Sequence, residues 1–413
     1  MAYIKRKLEA TISKYLKRPE ILAIVGPRRA GKTTMISRLI KKLPKAISIS
    51  FDDKRVLQMF EKDTEAFVDV YVKGNEYLFI DEFQYSKSGG QILKFIYDTR
   101  KIKIIISGSS VAELSIRAIK YLVGRVMVFN LHTFDFKEFL SAKDKGFLNI
   151  YTRHKKKFDS FSAEKIEISE ITHERLLSLY EEYLLFGGYP EVVLEENIQA
   201  KKEILRNIYN TYFLREVKDI LGLIDDYKLE KLIKGLALQI GSLVEYQELC
   251  HLSSYSFLAL KKYLNFLKKT YICEFVRPFY RSKRTEIVKN PKIYFQDTGF
   301  RNIVADDFRK LDERTDKGAL LENGLAAQFM KSEMKMNYWR DKSKNEVDFV
   351  LSLGEGEIVA IESKSYLKES KNRSVAVFRK KYPQIKTFLS YQEKKKNIRL
   401  DESVEEAYPV YLF

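Results

Sequence analysis

The sequence predicts an α/β protein: a parallel sheet flanked by helices, then a helical lid, a winged helix and a second, smaller α/β domain. Three observations carry that expectation. Over residues 1–145, short apolar runs alternate with helical patterns, as they do where strands are buried on both faces. One of these runs feeds a glycine-bracketed loop that opens a helix. Beyond Asp297 a fresh helix and strand pattern begins. At 413 residues the chain is too long for one ordinary core, and composition shifts divide it at 1–145, 146–223, 224–296 and 297–413.

The first run, Ile21 to Val25, leads into Gly26-Pro27-Arg28-Arg29-Ala30-Gly31-Lys32-Thr33-Thr34, with a helical pattern beginning at Lys32. Gly26 and Gly31 allow close backbone approaches that a Cβ would obstruct, so N–H groups can turn inward on phosphate oxygens at a helix N-terminus. Residues 26–34 therefore form the expected cradle for ATP, with Lys32 bridging the β- and γ-phosphates and Thr33 ligating Mg²⁺. Ala46 to Phe51 is the second run, and Tyr77 to Ile80 the third, ending in Asp81-Glu82. Asp81 is expected in the Mg²⁺ shell and Glu82 as the base that polarises an attacking water. A fourth run, Lys103 to Ile106, ends in Ser107-Gly108-Ser109-Ser110, where Ser109 is a candidate γ-phosphate sensor; a plain Ser/Gly turn is the alternative. Val126 to Leu131 completes the sheet.

The stretch from Lys143 to Glu170 is charged and poor in apolar residues, and reads as an exposed loop or insertion. From Ile171 to Leu223 the pattern is helical, broken at Phe186-Gly187-Gly188-Tyr189-Pro190. Ser253 and Ser254 are expected N-caps for a helix from Tyr255 to Lys269, and Tyr271 to Val276 with Ile293 to Phe295 is expected to form a two-stranded wing. Lys261, Lys262, Lys268 and Lys269 on that helix, with Arg281, Lys283 and Arg284 at a basic tip, are placed to meet DNA phosphates; a solvated basic face on a packing module is the alternative.

In the C-terminal region a helix through Leu320 to Asn323 precedes three strands, Asn337 to Arg340, Glu346 to Leu351 and Ile358 to Ser363. Glu362 and Lys364 are two residues apart and leave the same face of their strand, with Asp348 on the preceding strand and Glu322 on the helix. Such a set suits metal-dependent phosphodiester hydrolysis: Asp348 and Glu362 would hold Mg²⁺ or Mn²⁺, Lys364 would orient the nucleophile, and Glu322 would complete the shell. Weak exposed Glu–Lys pairs are the bland alternative.

The net charge of +18 favours a polyanionic partner, above all nucleic acid, although a solvated lysine surface would give the same balance. No apolar run approaches the ~18 residues of a membrane span, and the first residues lack the apolar core of a signal peptide, so a cytoplasmic location is expected. Cys250 and Cys273 show no ligand spacing, and His132, His154, His173 and His251 are scattered, which leaves hard ions on carboxylates as the expected metal chemistry.

Several segments in order resemble a family of archaeal and bacterial AAA+ type ATPases related to the STAND branch. They are residues 26–34, Asp81-Glu82-Phe83-Gln84, Gly108-Ser109-Ser110, Leu122-Val123-Gly124-Arg125, Gly187 to Pro190, Pro291 to Gly299, Glu346 to Phe349, and Glu362-Ser363-Lys364. The resemblance implies a phosphate-loop domain, a lid, a winged helix and a C-terminal domain similar to PD-(D/E)xK nucleases. It implies that Arg125 senses or stabilises the γ-phosphate, in its own chain or from a neighbouring copy in a homo-oligomer. Arg215 is a weaker candidate, because Glu216 stands where the family usually has Asp. Two functional readings follow: an ATPase acting on DNA, plausibly branched DNA, and a STAND-like nucleotide switch with a protein partner and an inactive nuclease fold.

Overall fold

The computed structural model describes residues 3–108, 121–158, 161, 165–210, 226–280, 282–354, 356–368, 372–395 and 398–413. Five short apolar strands, Ile21–Val25 (β1), Ala46–Ser50 (β2), Tyr77–Asp81 (β3), Lys103–Gly108 (β4) and Val126–Asn130 (β5), pair in parallel in the order β2-β3-β4-β1-β5. Side chains along the buried strands β1, β3 and β4 alternate between two cores, which is why those runs are mostly apolar. Ile21, Ala23 and Val25 pack with Phe51, Phe60, Ile80 and Ile106 on one face. Leu22 and Ile24 pack on the other with Met35, Ile36 and Leu39 of the helix Lys32–Ile40. The register puts Val25 beside Gly108 and Ile80 beside Ile106, so the carboxyl ends of β1, β3 and β4 share one edge. In an open parallel sheet that edge is where ligands bind.

The chain divides into two compact units, residues 1–134 with 265–272, and residues 135–264 with 273–413, where four domains were expected. In the second unit Cys273–Val276 (β6) and Lys292–Phe295 (β7) form the expected antiparallel pair. Helices Asp226–Leu238 and Tyr246–Ser253 precede it in that unit, and the helix Phe257–Lys269 has its first residues, to 264, in that unit and the rest in the first. A second sheet follows the helix Lys317–Lys331 and combines Lys335–Arg340 (β8), Glu346–Gly354 (β9), Glu357–Leu367 (β10), Lys386–Lys394 (β11) and Glu406–Pro409 (β12) in the order β12-β11-β10-β9-β8. β8, β9 and β10 are antiparallel neighbours; β10, β11 and β12 run in parallel, with the helix Arg373–Lys381 connecting β10 to β11.

Three local expectations are corrected. Lys145–Phe158 is a helix rather than an exposed loop, because Tyr151 and Phe158 line one face and Phe158 packs against Tyr408 and Phe413. Its Lys155 ammonium donates to the main-chain oxygens of Leu412 and Phe413 at 2.6 and 3.0 Å, so a charged stretch is also an anchored one. The basic helix begins at Phe257, with Ser256 Oγ accepting from Ala259 N at 3.3 Å; Ser253 ends the preceding helix, and Ser254 lies in the left-handed region at φ 56°. Finally, Lys283–Val288 is a short helix in which Lys283 pairs with Glu286 at 2.9 Å, not an open basic tip, and Arg281 lies outside the described residues.

No helix among the described residues is long and apolar enough to cross a membrane.

Candidate functional site

The loop after β1 is shaped by a close crossing. Gly26 has φ 155°, and a Cβ there would lie 2.0 Å from the Leu131 carbonyl oxygen, so no other residue fits without moving the backbone. The loop then turns through Ala30 N donating to Pro27 O at 3.3 Å, passes Arg29 in the left-handed region, and reaches Gly31, which caps the helix Lys32–Ile40 without a side chain. Lys32 is buried, its ammonium donating to the carbonyls of Gly26 and Pro27 at 2.9 Å each. Arg28 Nη2 donates to the Tyr85 hydroxyl at 3.3 Å, while Thr33 and Thr34 stand exposed on the first helical turn.

Arg6, which sequence reasoning passed over, braces this loop. Its guanidinium donates to Ala30 O and His132 O, both at 2.6 Å, and lies over the Phe134 ring. Its own amide donates to Glu9 Oε1 at 2.6 Å, and the Tyr3 hydroxyl donates to the same oxygen at 2.6 Å. An arginine before the first helix carries no spacing signal that would single it out.

At the shared strand edge, Thr33 Oγ1 donates to Asp81 Oδ2 at 2.6 Å, and Ser107 Oγ donates to Asp81 Oδ1. These are hard oxygen donors beside a phosphate cradle. They fit Mg²⁺, which keeps waters and takes one or two carboxylates with substrate phosphates rather than an all-protein cage. Glu82 follows in the left-handed region at φ 52°, with its amide donating to Asp81 Oδ1 at 3.1 Å. Burial pushes the Glu82 carboxyl up and the Asp81 charge adds to the rise, while the hydrogen bond donated by Gln84 Nε2 opposes it. A carboxyl raised in this way suits proton acceptance.

Other predicted residues fall elsewhere. Ser109, Arg215 and Glu216 lie outside the described residues. Arg125 precedes β5 at the amino edge of the sheet, where its carbonyl accepts from Ile21 N at 2.8 Å and Asp98 holds its guanidinium at 2.8 and 3.2 Å. A five-residue strand separates it from the phosphate loop, on the order of 15 Å. Arg125 is therefore not a γ-phosphate sensor for its own chain.

In the second unit the four C-terminal candidates do meet. Asp348 N donates to Glu362 Oε2 at 3.3 Å, Ser363 N to Asp348 Oδ2 at 2.9 Å, and Lys364 Nζ to Glu362 Oε1 at 2.8 Å. Burial and then the Asp348 charge push the carboxyls of Glu322 and Glu362 well up. Lys292 of β7 was not foreseen in this set. Its ammonium lies 2.9 Å from Glu322 Oε1, 2.5 Å from Glu346 Oε1 and 3.6 Å from Asp348 Oδ1, and the Tyr294 hydroxyl also donates to Glu322. The oxygens of Asp348 and Glu362, the expected Mg²⁺ or Mn²⁺ ligands, face protein donors in this arrangement. Among the described residues no group of three or more His, Cys, Asp or Glu forms a metal site. A lysine two residues before a tyrosine in a buried strand was the available signal, since both leave one face and a buried ammonium requires anions.

Two further motif segments meet in a structural joint. Gly187 at φ 75° leaves room for Asp297, whose Oδ1 would lie 2.0 Å from a Cβ, while Gly188 N donates to Asp297 Oδ2 at 2.9 Å.

Residues 18–140, which carry the parallel sheet and the loop after β1, match the model of a family described as an AAA domain. Residues 177–314 and 317–413 match two families described as domains of unknown function. An uncharacterized protein of Methanocaldococcus jannaschii is 27% identical over 348 residues, 80% of this chain and 72% of that one. Another uncharacterized protein, from Haemophilus influenzae, is 26% identical over 289 residues, 66% of this chain and 62% of that protein. Among solved structures, the Walker-type ATPase of Pyrococcus abyssi covers 73% of this chain and 96% of its own at 14% identity, with a TM-score of 0.46.

Proposed function

We propose that this chain hydrolyses ATP at the phosphate-loop site and couples turnover to DNA. The observation that carries the first part is the Thr33–Asp81 contact of 2.6 Å, which joins the phosphate cradle to the carboxylate of β3. Main-chain N–H groups of residues 28–34 bind the β-phosphate, and Lys32 swings from the loop carbonyls to the β- and γ-phosphate oxygens. Thr33 and Asp81 would hold Mg²⁺, which would supply charge neutralisation on those phosphates. Glu82 orients a water in line with the γ-phosphorus and takes its proton as the bond to the bridging oxygen breaks and ADP leaves with the electron pair. Gln84 holds the Glu82 carboxylate in place for that transfer.

The DNA part rests on the charge of +18 and on the exposed Lys261, Lys262, Lys268 and Lys269 of a helix followed by a two-stranded wing, the outline of a winged helix. The C-terminal domain is read as a nuclease-like fold that does not cut. A role for Arg125 in turnover would require a homo-oligomer that brings it to a neighbour's nucleotide. The second reading, a STAND-like switch with a protein partner, is favoured by Phe257 and Leu258, apolar and exposed on the first turn of that same helix.

Phosphate release measured with and without branched DNA separates the two. DNA stimulation supports the first reading, and turnover indifferent to DNA supports the second. Glu82→Gln should lower kcat by about 10²–10⁴ while nucleotide still binds; hydrolysis that survives it would sink the assigned chemistry.

A further inference from the structure

The C-terminal carboxylates present a charge problem that the fold meets largely with its own cations. Glu322, Glu346, Asp348 and Glu362 converge where β7, β9, β10 and the helix Lys317–Lys331 meet. Against these four stand three protein cations: Lys292, Lys364 at 2.8 Å from Glu362, and Arg340 at 3.5 Å from Glu346. The Lys292 side chain is 2% exposed and lies within 4 Å of three of the four carboxylates. Two further oxygens are served as well, Asp348 Oδ2 by Ser363 N and Glu362 Oε2 by Asp348 N. A divalent ion needs about six oxygens at roughly 2.0–2.6 Å. To reach these carboxylates it would have to displace the Lys292 ammonium or sit beside it, and two cations a few ångströms apart in a buried site repel strongly.

We infer that Lys292 is a protein-borne cation standing in the place of a divalent metal, so that this nuclease-like cluster excludes metal and instead clamps β7 to the C-terminal sheet. A lysine that pairs with a single carboxylate would stabilise one contact. This one gathers an oxygen from the helix and two from β9 at a single nitrogen, in the manner of a coordination centre.

The test is a Mn²⁺ titration of the full chain without nucleotide, read by calorimetry and by electron paramagnetic resonance, with thermal melting alongside. The wild-type chain should show no Mn²⁺ site that depends on Asp348, and millimolar Mn²⁺ should leave its melting temperature unchanged. Lys292→Met, which keeps the apolar stem, should lower the melting temperature by more than about 5 °C, because it leaves buried carboxylates uncompensated. Mn²⁺ should restore part of that loss through a site that the further change Asp348→Asn removes. A wild-type Mn²⁺ site abolished by Asp348→Asn would overturn the inference, whether or not Lys292→Met folds. So would a Lys292→Met chain that melts like the wild type.

Discussion

Gly26 shows how much a single residue can decide. Its φ of 155° and the 2.0 Å separation between a built Cβ and Leu131 O mean that Gly26→Ala must push the phosphate loop off the sheet edge. Nucleotide affinity is expected to fall by at least about tenfold, the factor set by ~1.4 kcal/mol, as measured by titration with a fluorescent ATP analogue. Unchanged affinity would mean that the loop is not the cradle described. Glu82 sits in the same left-handed region, where a non-glycine residue carries backbone strain of order 1–3 kcal/mol, and such positions cluster at functional sites. Both positions were singled out in the sequence, because phosphate-loop chemistry demands particular residues at particular spacings. Arg6 and Lys292 were not, since their partners lie far away along the chain: Ala30 and His132 for the first, Glu322, Glu346 and Asp348 for the second.

Elements fail or hold through the groups that join them. Asn323, fully buried on the helix Lys317–Lys331, accepts from Phe295 N at 2.8 Å and donates to Phe295 O at 2.9 Å, pairing with β7 as a neighbouring strand would. Asn323→Ala leaves a main-chain donor and acceptor buried and unpaired, and should cost about 2–4 kcal/mol in urea unfolding of the full chain. A loss below the error of that measurement would show that water replaces the amide. The five strands of the first sheet and β8, β9 and β10 of the second were readable from apolar runs, β11 and β12 were not expected, and β1 lies where it was expected, over Ile21–Val25. The helix Lys145–Phe158 was misread because its charges outnumber its aromatics, although burial of Tyr151 and Phe158 on one face is what sets its structure. Ser254 was misassigned as an N-cap because a serine suits either end of a tight turn, and only its backbone angle separates the two roles.

On the scale of the whole molecule, the surplus of +18 makes any DNA affinity dependent on salt. Replacing Lys261, Lys262, Lys268 and Lys269 by Glu should weaken binding uniformly across DNA sequences. It should also flatten the plot of log affinity against log salt by about 0.9 for each phosphate that the protein no longer neutralises. An unaltered slope would move the DNA contact to another face, and no binding at either salt would favour a protein partner. The sequence by itself determined the α/β class, the parallel first sheet and the place of the phosphate-loop segment between β1 and its helix, because strand burial and phosphate binding each impose a local pattern of residues. It also brought Glu322, Asp348, Glu362 and Lys364 together as a candidate set. Only the tertiary structure carries the Lys292 ammonium from β7 to that set and places Arg125 at the sheet edge opposite the phosphate loop. Charge neutralisation and distance are properties of positions in space, and spacing along the chain does not encode them.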